Sequence, residues 1–249
     1  MKPWKFLPHL PHIPPHVNLP MRSQTLYWSG TDRQDLWKKH MKTPKSCDYL
    51  THMRWDTEHA IEYKFNSHGF RDDEFDQRDC HLALGCSFTE GVGLCKDQTW
   101  PARLTNLIGN HVWNLGIGGA SIDTCFRMLD HYLEILKPKS VFLLIPPLMR
   151  VELHSDNEIR TYLVSDTDLP AFVKKWVSCE DNANVNRYKN ILAMKQLCAD
   201  QNIKLYTQHC NPVFEDDCAR DLMHYGKRTQ KHFAKNFYKD YINDMQKLY

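Results

Sequence analysis

A serine at position 87 has the surroundings that most suggest chemistry in this chain. It stands in H-L-A-L-G-C-S-F-T-E-G-V-G-L, residues 81–94, two places after the glycine that ends the apolar run Leu82-Ala83-Leu84. That is the pattern of a short buried strand that stops at a sheet edge and offers a hydroxyl there. In open α/β sheets, ligands bind outside the carboxyl ends of the strands. A serine hydroxyl becomes a nucleophile when a base lies in hydrogen-bond reach and a third group orients that base. Asp221-Leu222-Met223-His224 supplies both, in a loop just before the last predicted helix. An aspartate three residues ahead of a histidine can keep one ring nitrogen protonated and leave the other free for the Ser87 hydroxyl. The developing oxyanion also needs backbone donors, each worth about 3 kcal/mol of barrier. The Ser87 N–H and the Gly118-Gly119 pair, which has no Cβ to block approach, suit that task. Each signal also has a plainer reading: a helix cap for Ser87, a surface histidine near a helix start for His224, a simple turn for residues 116–119. Their order, and their placement on one edge of one sheet, favours the chemistry.

The elements that must hold these residues alternate between strand and helix from residue 80 onward. Leu82–Leu84 reads as a strand. Trp100–Ile108 reads as a helix with Pro101 in its first turn, where a missing N–H costs nothing, and Gly109-Asn110 ends it. His111–Leu115 is a second strand, leading into the glycine-rich loop 116–120. Ser121 caps a helix to about Leu136, with Ile122, Phe126, Leu129, Leu133 and Leu136 on one face. Val141–Ile145 is a continuous apolar run, as in a central parallel strand. A short strand at Thr161–Val164 and a short helix at Leu169–Val177 follow. Asn186–Asp200 reads as a longer helix, with Tyr188, Ile191, Leu192, Met194 and Leu197 in its period. Ile203–Thr207 is the next strand, and Phe233, Phe237, Tyr241, Met245 and Leu248 mark the last helix. Strands alternating with helices imply a parallel sheet with right-handed crossovers.

Upstream the signals are weaker. Residues 1–20 carry prolines between His9, His12 and His16, which excludes helix and central strand. They read as an extended arm on the surface, in preference to a metal-binding histidine tract. Residues 21–58 suggest no function, and Lys38, Lys39, Lys42 and Lys45 read as a solvated helix face. Ala60–Phe65 is a weak strand running into a turn at Asn66-Ser67-His68-Gly69. Arg71, beside Asp72 and Asp73, reads as a structural ion-pair position.

With 249 residues, 42% hydrophobic and 25% charged, the chain has the composition of an ordinary soluble globular protein. Its formal net charge of +2 demands neither nucleic acid nor an anionic membrane. No apolar run approaches the roughly 20 residues that span a bilayer, and the proline-broken N-terminus does not read as a signal peptide. Nine cysteines without a C-x-x-C pair argue against a disulfide framework or zinc site and fit a reducing, cytoplasmic setting. Cys86, Cys125 and Cys198 read as small buried hydrophobes. The pattern G-x-S-x-G of an α/β-hydrolase elbow is absent, as are the P-loop and dinucleotide-binding spacings.

At this point the motifs resemble a family. Gly85-Cys86-Ser87-Phe88-Thr89-Glu90-Gly91 is similar to the first block of the SGNH (GDSL-type) hydrolases, where the second position is usually Asp. Asn114-Leu115-Gly116-Ile117-Gly118-Gly119 resembles the second block, whose glycine N–H serves the oxyanion hole, and Gly119 is the best match. Asp221-Leu222-Met223-His224 resembles the last block, D-x-x-H. Asn66–Arg71 resembles a segment found upstream in such proteins. The likeness covers roughly residues 60–249.

It implies a three-layer α/β/α flavodoxin-like fold with a parallel central sheet over residues 59–249. Residues 1–58 would then be an arm and extension packed on that domain. It implies Ser87 as nucleophile, His224 as general base and Asp221 as its orienter, with Ser87 and Gly119 as oxyanion donors. No cofactor or metal is expected, and the substrate would be a small acyl ester, such as an acetylated carbohydrate. The third family block, G-x-N-D, is missing. The middle strand ends instead in Ile145-Pro146-Pro147, and prolines have no N–H to donate. Arg150 or Asn211 could fill that place. The gap keeps two alternatives open: a weakly active or inactive binding protein of this fold, and an acyltransferase to a sugar.

Overall fold

The apolar run at residues 80–84 forms a strand whose every side chain is buried, and the fold is laid out around it. The computed structural model describes residues 22–155, 158–211 and 214–248, so the proline- and histidine-rich arm of residues 1–20 lies outside the described residues. In chain order the strands are β1 (Thr25–Leu26), β2 (Tyr63–Lys64), β3 (Cys80–Leu84), β4 (His111–Asn114), β5 (Ser140–Ile145), β6 (Arg150–Ser155), β7 (Glu158–Leu163) and β8 (Lys204–His209). The helices are α1 (Gln34–Met41), α2 (Pro44–His52), α3 (Ser87–Glu90), α4 (Trp100–Ile108), α5 (Ile122–Leu136), α6 (Ala171–Val177), α7 (Glu180–Ala199) and α8 (Lys227–Met245).

Four strands form a parallel sheet in the order β4-β3-β5-β8. Side chains alternate across it, as the two-residue period of a strand requires. Leu82, Leu84, Val141, Leu143 and Ile145 meet α5 and α7 on one face. Ala83, Phe142, Leu144 and Tyr206 meet Trp100 and Leu104 of α4, and Phe233 and Phe237 of α8, on the other. Both faces are covered, which is why β5 reads as one unbroken apolar run. Among the described residues no helix is long and apolar enough to cross a membrane.

Several elements differ from the sequence reading. An antiparallel hairpin, β6–β7, replaces the single strand expected at Thr161–Val164. Its Glu152 is buried, held by Arg127 of α5 at 2.8 Å, so a charged residue sits where the strand pattern would place an apolar one. Helix α7 begins at Glu180, before the hydrophobic period starts. Tyr188 and Leu192 of that period are exposed; Ile191, Met194, Leu197 and Cys198 face the core. All nine cysteines are free thiols, and Cys86, Cys125 and Cys198 are buried.

Residues 22–65 build a third small core. Trp37, Leu50, Trp55, Ile61, Tyr63 and Phe65 pack with Leu94, just beyond α3, and with Ala219, just before Asp221. The segment to which the sequence assigned no role therefore lies against both halves of the candidate site.

Candidate active site

Ser87 is the first residue of α3, so its N–H has no helical acceptor and is available. Cys86, extended and fully buried, is the cap residue before it. The turn from β3 into α3 requires glycine at position 85: a Cβ there would lie 2.1 Å from Thr89 Oγ1 and 2.9 Å from the Leu144 carbonyl oxygen. Helix α3 is short, and its neighbours hold it. Gln230 of α8 donates to the Phe88 carbonyl at 2.9 Å, and the Trp100 indole donates to Thr89 Oγ1 at 3.2 Å.

Arg71 acts on the same turn in a way the sequence did not suggest. It does not form the ion pair expected with Asp72 and Asp73. It donates instead to the carbonyls of Gly91 (2.6 Å), Leu94 (2.6 Å) and Glu62 (2.8 Å), with its guanidinium over the Tyr63 ring. Asp72 pairs with Lys96 at 2.9 Å and accepts the Asn114 N–H at 2.7 Å. The turn expected at Asn66 is present: the Asn66 side-chain oxygen accepts the N–H groups of His68 and Phe70, each at 3.0 Å.

The loop after β4 is tied directly to α3. Asn114 donates its side-chain N–H to the Thr89 carbonyl at 2.9 Å and accepts the Gly116 N–H at 3.0 Å. The Ile117 N–H reaches the Gly85 carbonyl at 3.2 Å. Gly116 lies so close to α3 that a Cβ would meet the Glu90 nitrogen at 2.3 Å. Ala120 N–H closes a turn onto the Ile117 carbonyl at 3.0 Å, with Gly119 at its third position and φ +76°. A type II turn needs a positive φ there, which glycine adopts without strain. The side of Gly119 on which a Cβ would stand is open.

The third component is the loop 217–226. Asp221 Oδ1 accepts the N–H groups of Met223 (3.1 Å) and His224 (3.0 Å). Its Oδ2 lies 2.6 Å from His224 Nδ1, and His224 Nε2 lies 2.7 Å from Ser87 Oγ. Leu222, between them, takes φ +56°, an unusual value for a branched residue, and its N–H is held by the Ala219 carbonyl at 2.9 Å. Burial alone would push the Asp221 carboxyl up. The hydrogen bond and charge of His224, the Thr31 hydroxyl and the backbone N–H outweigh it and hold Asp221 below the ordinary aspartate value. The Asp221 side chain is fully buried, Ser87 is buried, and the His224 side chain is 12% exposed.

Thr31 is the site residue that sequence reasoning missed. Its hydroxyl donates to Asp221 Oδ2 at 2.6 Å. It stands at the tip of a tight turn, Ser29-Gly30-Thr31-Asp32, closed by hydrogen bonds in both directions between Ser29 and Asp32. The next residue, Asp32, receives Nε and Nη2 of the fully buried Arg220 at 2.9 and 2.6 Å. Two successive residues of the turn thus grip Arg220 and Asp221. No local pattern announces such a contact across 190 positions.

The structure brings Ser87, Asp221 and His224 together and places the Gly119 turn against the strand end that carries Ser87. Of the two groups considered for the missing donor, Arg150 gives a hydrogen bond to the Ala120 carbonyl at 3.0 Å. Asn211 is exposed and lines a cavity of about 440 Å³ between β8 and α8, with His209, His232 and Asn236. Chemically, the arrangement offers a hydroxyl whose proton has an acceptor at hydrogen-bond distance, and an acceptor whose far side is held by a carboxylate.

No family model matches the sequence, and no curated protein is similar to it. Among solved structures, the chain is similar to TesA at 13% identity and TM-score 0.47, over 65% of this chain and 97% of that one. It is similar to an esterase, EstA from Pseudoalteromonas sp., at 14% identity and TM-score 0.44, over 66% and 99%. It is also similar to a family 3 carbohydrate esterase of Clostridium thermocellum at 18% identity and TM-score 0.40, over 68% and 98%. At these values the likenesses assign no role to any residue of this chain.

Proposed function

We propose that this chain is a serine ester hydrolase of the SGNH type, with a flavodoxin-like catalytic unit over residues 59–249 and an N-terminal extension over 1–58. The observation that carries the reading is the unbroken line from Ser87 Oγ through His224 (2.7 Å) to Asp221 (2.6 Å). Ser87 Oγ attacks the ester carbonyl carbon, and its proton passes to His224 Nε2. Asp221 stays ionised, keeps Nδ1 protonated and stabilises the imidazolium that forms. The carbonyl oxygen, now an oxyanion, takes hydrogen bonds from the Ser87 and Gly119 N–H groups. Collapse breaks the bond to the leaving alcohol, which receives the proton from Nε2 and departs. Water then repeats the sequence on the acyl-serine, releasing the acid and restoring the hydroxyl. The acyl ester is small, such as an acetyl group on a carbohydrate.

The test is hydrolysis of para-nitrophenyl acetate by the protein and its Ser87→Ala variant. Turnover lost in the variant supports the assignment; equal turnover in both overturns it. A second reading, acyl transfer or slow turnover, is favoured by one feature: Pro146-Pro147 follows β5, where the family supplies an oxyanion donor, and a lost donor costs about 10²–10³ in rate. Product analysis with an added alcohol acceptor separates transfer from hydrolysis.

A further inference from the structure

The glycine loop after β4 spends its N–H groups one by one. Gly116 gives its N–H to Asn114 Oδ1 at 3.0 Å, and Ile117 gives its own to the Gly85 carbonyl at 3.2 Å. Ala120 closes the turn onto the Ile117 carbonyl at 3.0 Å. Glu90 Oε2 lies 3.1 Å from where a Cβ on Gly118 would stand, and the Gly118 N–H bonds the Glu90 carboxyl. The Gly119 N–H alone in this loop has no acceptor among the described residues. It belongs to the peptide between Gly118 and Gly119, and glycine backbone is the least restrained of any residue. A donor carried on a glycine pair needs an anchor from outside the loop, and Glu90 is the side chain placed against it.

Glu90 is the last residue of α3, one helical turn after Ser87, and it is buried. It forms no ion pair among the described residues: Arg71, the cation of this turn, spends its donors on carbonyls. Burial pushes the Glu90 carboxyl up, and the Arg71 charge, the Gly118 N–H and the His224 charge offset that push only in part. A buried carboxyl without a cation costs more than an apolar side chain of the same shape. Packing alone thus gives no reason for a glutamate here, whereas an acceptor for Gly118 does. Hence we infer that Glu90 is a positioning residue: its carboxyl ties Gly118 to α3 and so fixes the Gly119 N–H relative to the Ser87 N–H. The inference rests on the proposed ester-hydrolase reading for its catalytic consequence, though not for the contact itself.

The experiment compares Glu90→Gln, which keeps an oxygen for the Gly118 N–H, with Glu90→Leu, which keeps much of the volume and removes the acceptor. With para-nitrophenyl acetate, Glu90→Leu is expected to lose about 10² in kcat, the scale of one oxyanion donor, with KM nearly unchanged. Glu90→Gln is expected to recover most of that loss. Exchange of the Gly118 amide hydrogen, followed by NMR, reads the contact without substrate. It should be slow in the parent and in Glu90→Gln, and at least about tenfold faster in Glu90→Leu. Melting curves verify each fold, and Glu90→Met takes the place of Glu90→Leu if that variant does not fold. Equal kcat in Glu90→Leu and the parent, or an equal loss in both variants, overturns the positioning role and leaves the hydrolase reading intact. So does a Gly118 amide that exchanges as fast in the parent as in Glu90→Leu. If no ester is turned over at all, the hydrolase reading fails, and the amide decides the contact alone. Faster exchange in Glu90→Leu then supports it, and unchanged exchange overturns it.

Discussion

Asp221→Asn is the substitution whose outcome the geometry constrains most tightly. One carboxylate oxygen of Asp221 accepts two backbone N–H groups, from Met223 and His224 at 3.1 and 3.0 Å. The other faces His224 Nδ1 and the Thr31 hydroxyl, each at 2.6 Å. An asparagine has one oxygen and one NH₂ to distribute between these places. With NH₂ toward the backbone, two N–H donors would point at a donor, at a cost of about 1–3 kcal/mol each. The amide oxygen therefore takes that place, and the NH₂ points at Nδ1. Nδ1 must then accept, and the ring proton moves to Nε2, which faces Ser87 Oγ at 2.7 Å. In that tautomer the ring cannot take the serine's proton. The expected loss is about 10⁴ in kcat, as for the equivalent change in the serine-protease triad, or about 5.5 kcal/mol of barrier. Initial rates with para-nitrophenyl acetate measure the loss, and nitrogen NMR of the His224 ring reads the tautomer. A variant that melts like the parent and stays within about tenfold of its rate would refute the hydrogen-bond argument, as would a ring still protonated at Nδ1.

Thr31→Val removes the hydroxyl from Asp221. A hydrogen bond to a charged group is worth about 1.5–3 kcal/mol, so kcat/KM should fall about tenfold or more, with Thr31→Ser recovering most of it; an unchanged rate in the valine variant removes Thr31 from the site. Gly116→Ala places a Cβ 2.3 Å from the Glu90 nitrogen and 2.7 Å from the Thr89 carbonyl carbon. Those atoms are backbone and cannot swing away, so the expected destabilisation is about 1–3 kcal/mol by chemical melting, with activity lost through displacement of α3. His81 is buried, its Nδ1 has no partner among the described residues, and burial brings its imidazole down to about 4. Its folded value lies below the unfolded one, so the unfolded chain binds the proton first. Stability is then full above about pH 6.5 and falls between there and pH 4, by about 3 kcal/mol in total. Melting scans across that window should be flatter for His81→Phe, and an identical slope would exclude His81 as the origin.

Much of the site was legible because its residues sit at punctuated boundaries. Pro101 and Gly109 bracket α4, Ser121 caps α5, and the apolar run of β5 stops at two prolines. Ser87, Gly119 and Asp221–His224 each follow or precede such a boundary, so their placement on one edge could be inferred from order alone. The illegible parts share another physical cause: their meaning lies in a distant partner. Glu152 breaks the strand pattern of β6 because Arg127 and Thr124 satisfy it from another helix. Helix α7 carries apolar residues on two faces, and nothing local tells that Met194 is buried while Tyr188 is not. Arg71 looked like an ion-pair residue from its acidic neighbours, yet its donors are used on carbonyls around the nucleophile turn.

The same point applies with most force to the 2.7 Å between Ser87 and His224, residues 137 positions apart. Neither strand pairing nor helix packing sets that distance by itself, because α3 is four residues long and the His224 loop has little regular structure. A closed circuit of polar contacts sets it. The Gly93 carbonyl accepts the Arg220 N–H at 2.9 Å, and the Gly93 N–H donates to the Tyr63 hydroxyl at 2.7 Å. Tyr63 donates to Asp32 at 2.5 Å, and Asp32 binds the Arg220 guanidinium, which lies over the Trp28 ring. A Cβ at Gly93 would meet the Ala219 side chain at 2.8 Å and the Arg220 backbone nitrogen at 3.0 Å, so the two loops have no room for a side chain between them. Two members of the circuit, Asp32 and Tyr63, and Trp28, which covers the guanidinium, belong to the segment before α3 that has no catalytic motif. Opening a buried pair such as Asp32–Arg220 costs about 3–5 kcal/mol, because it leaves a charge without a partner. The circuit therefore resists opening, and the segment that closes it sets the distance between nucleophile and base as much as the sheet that carries them does.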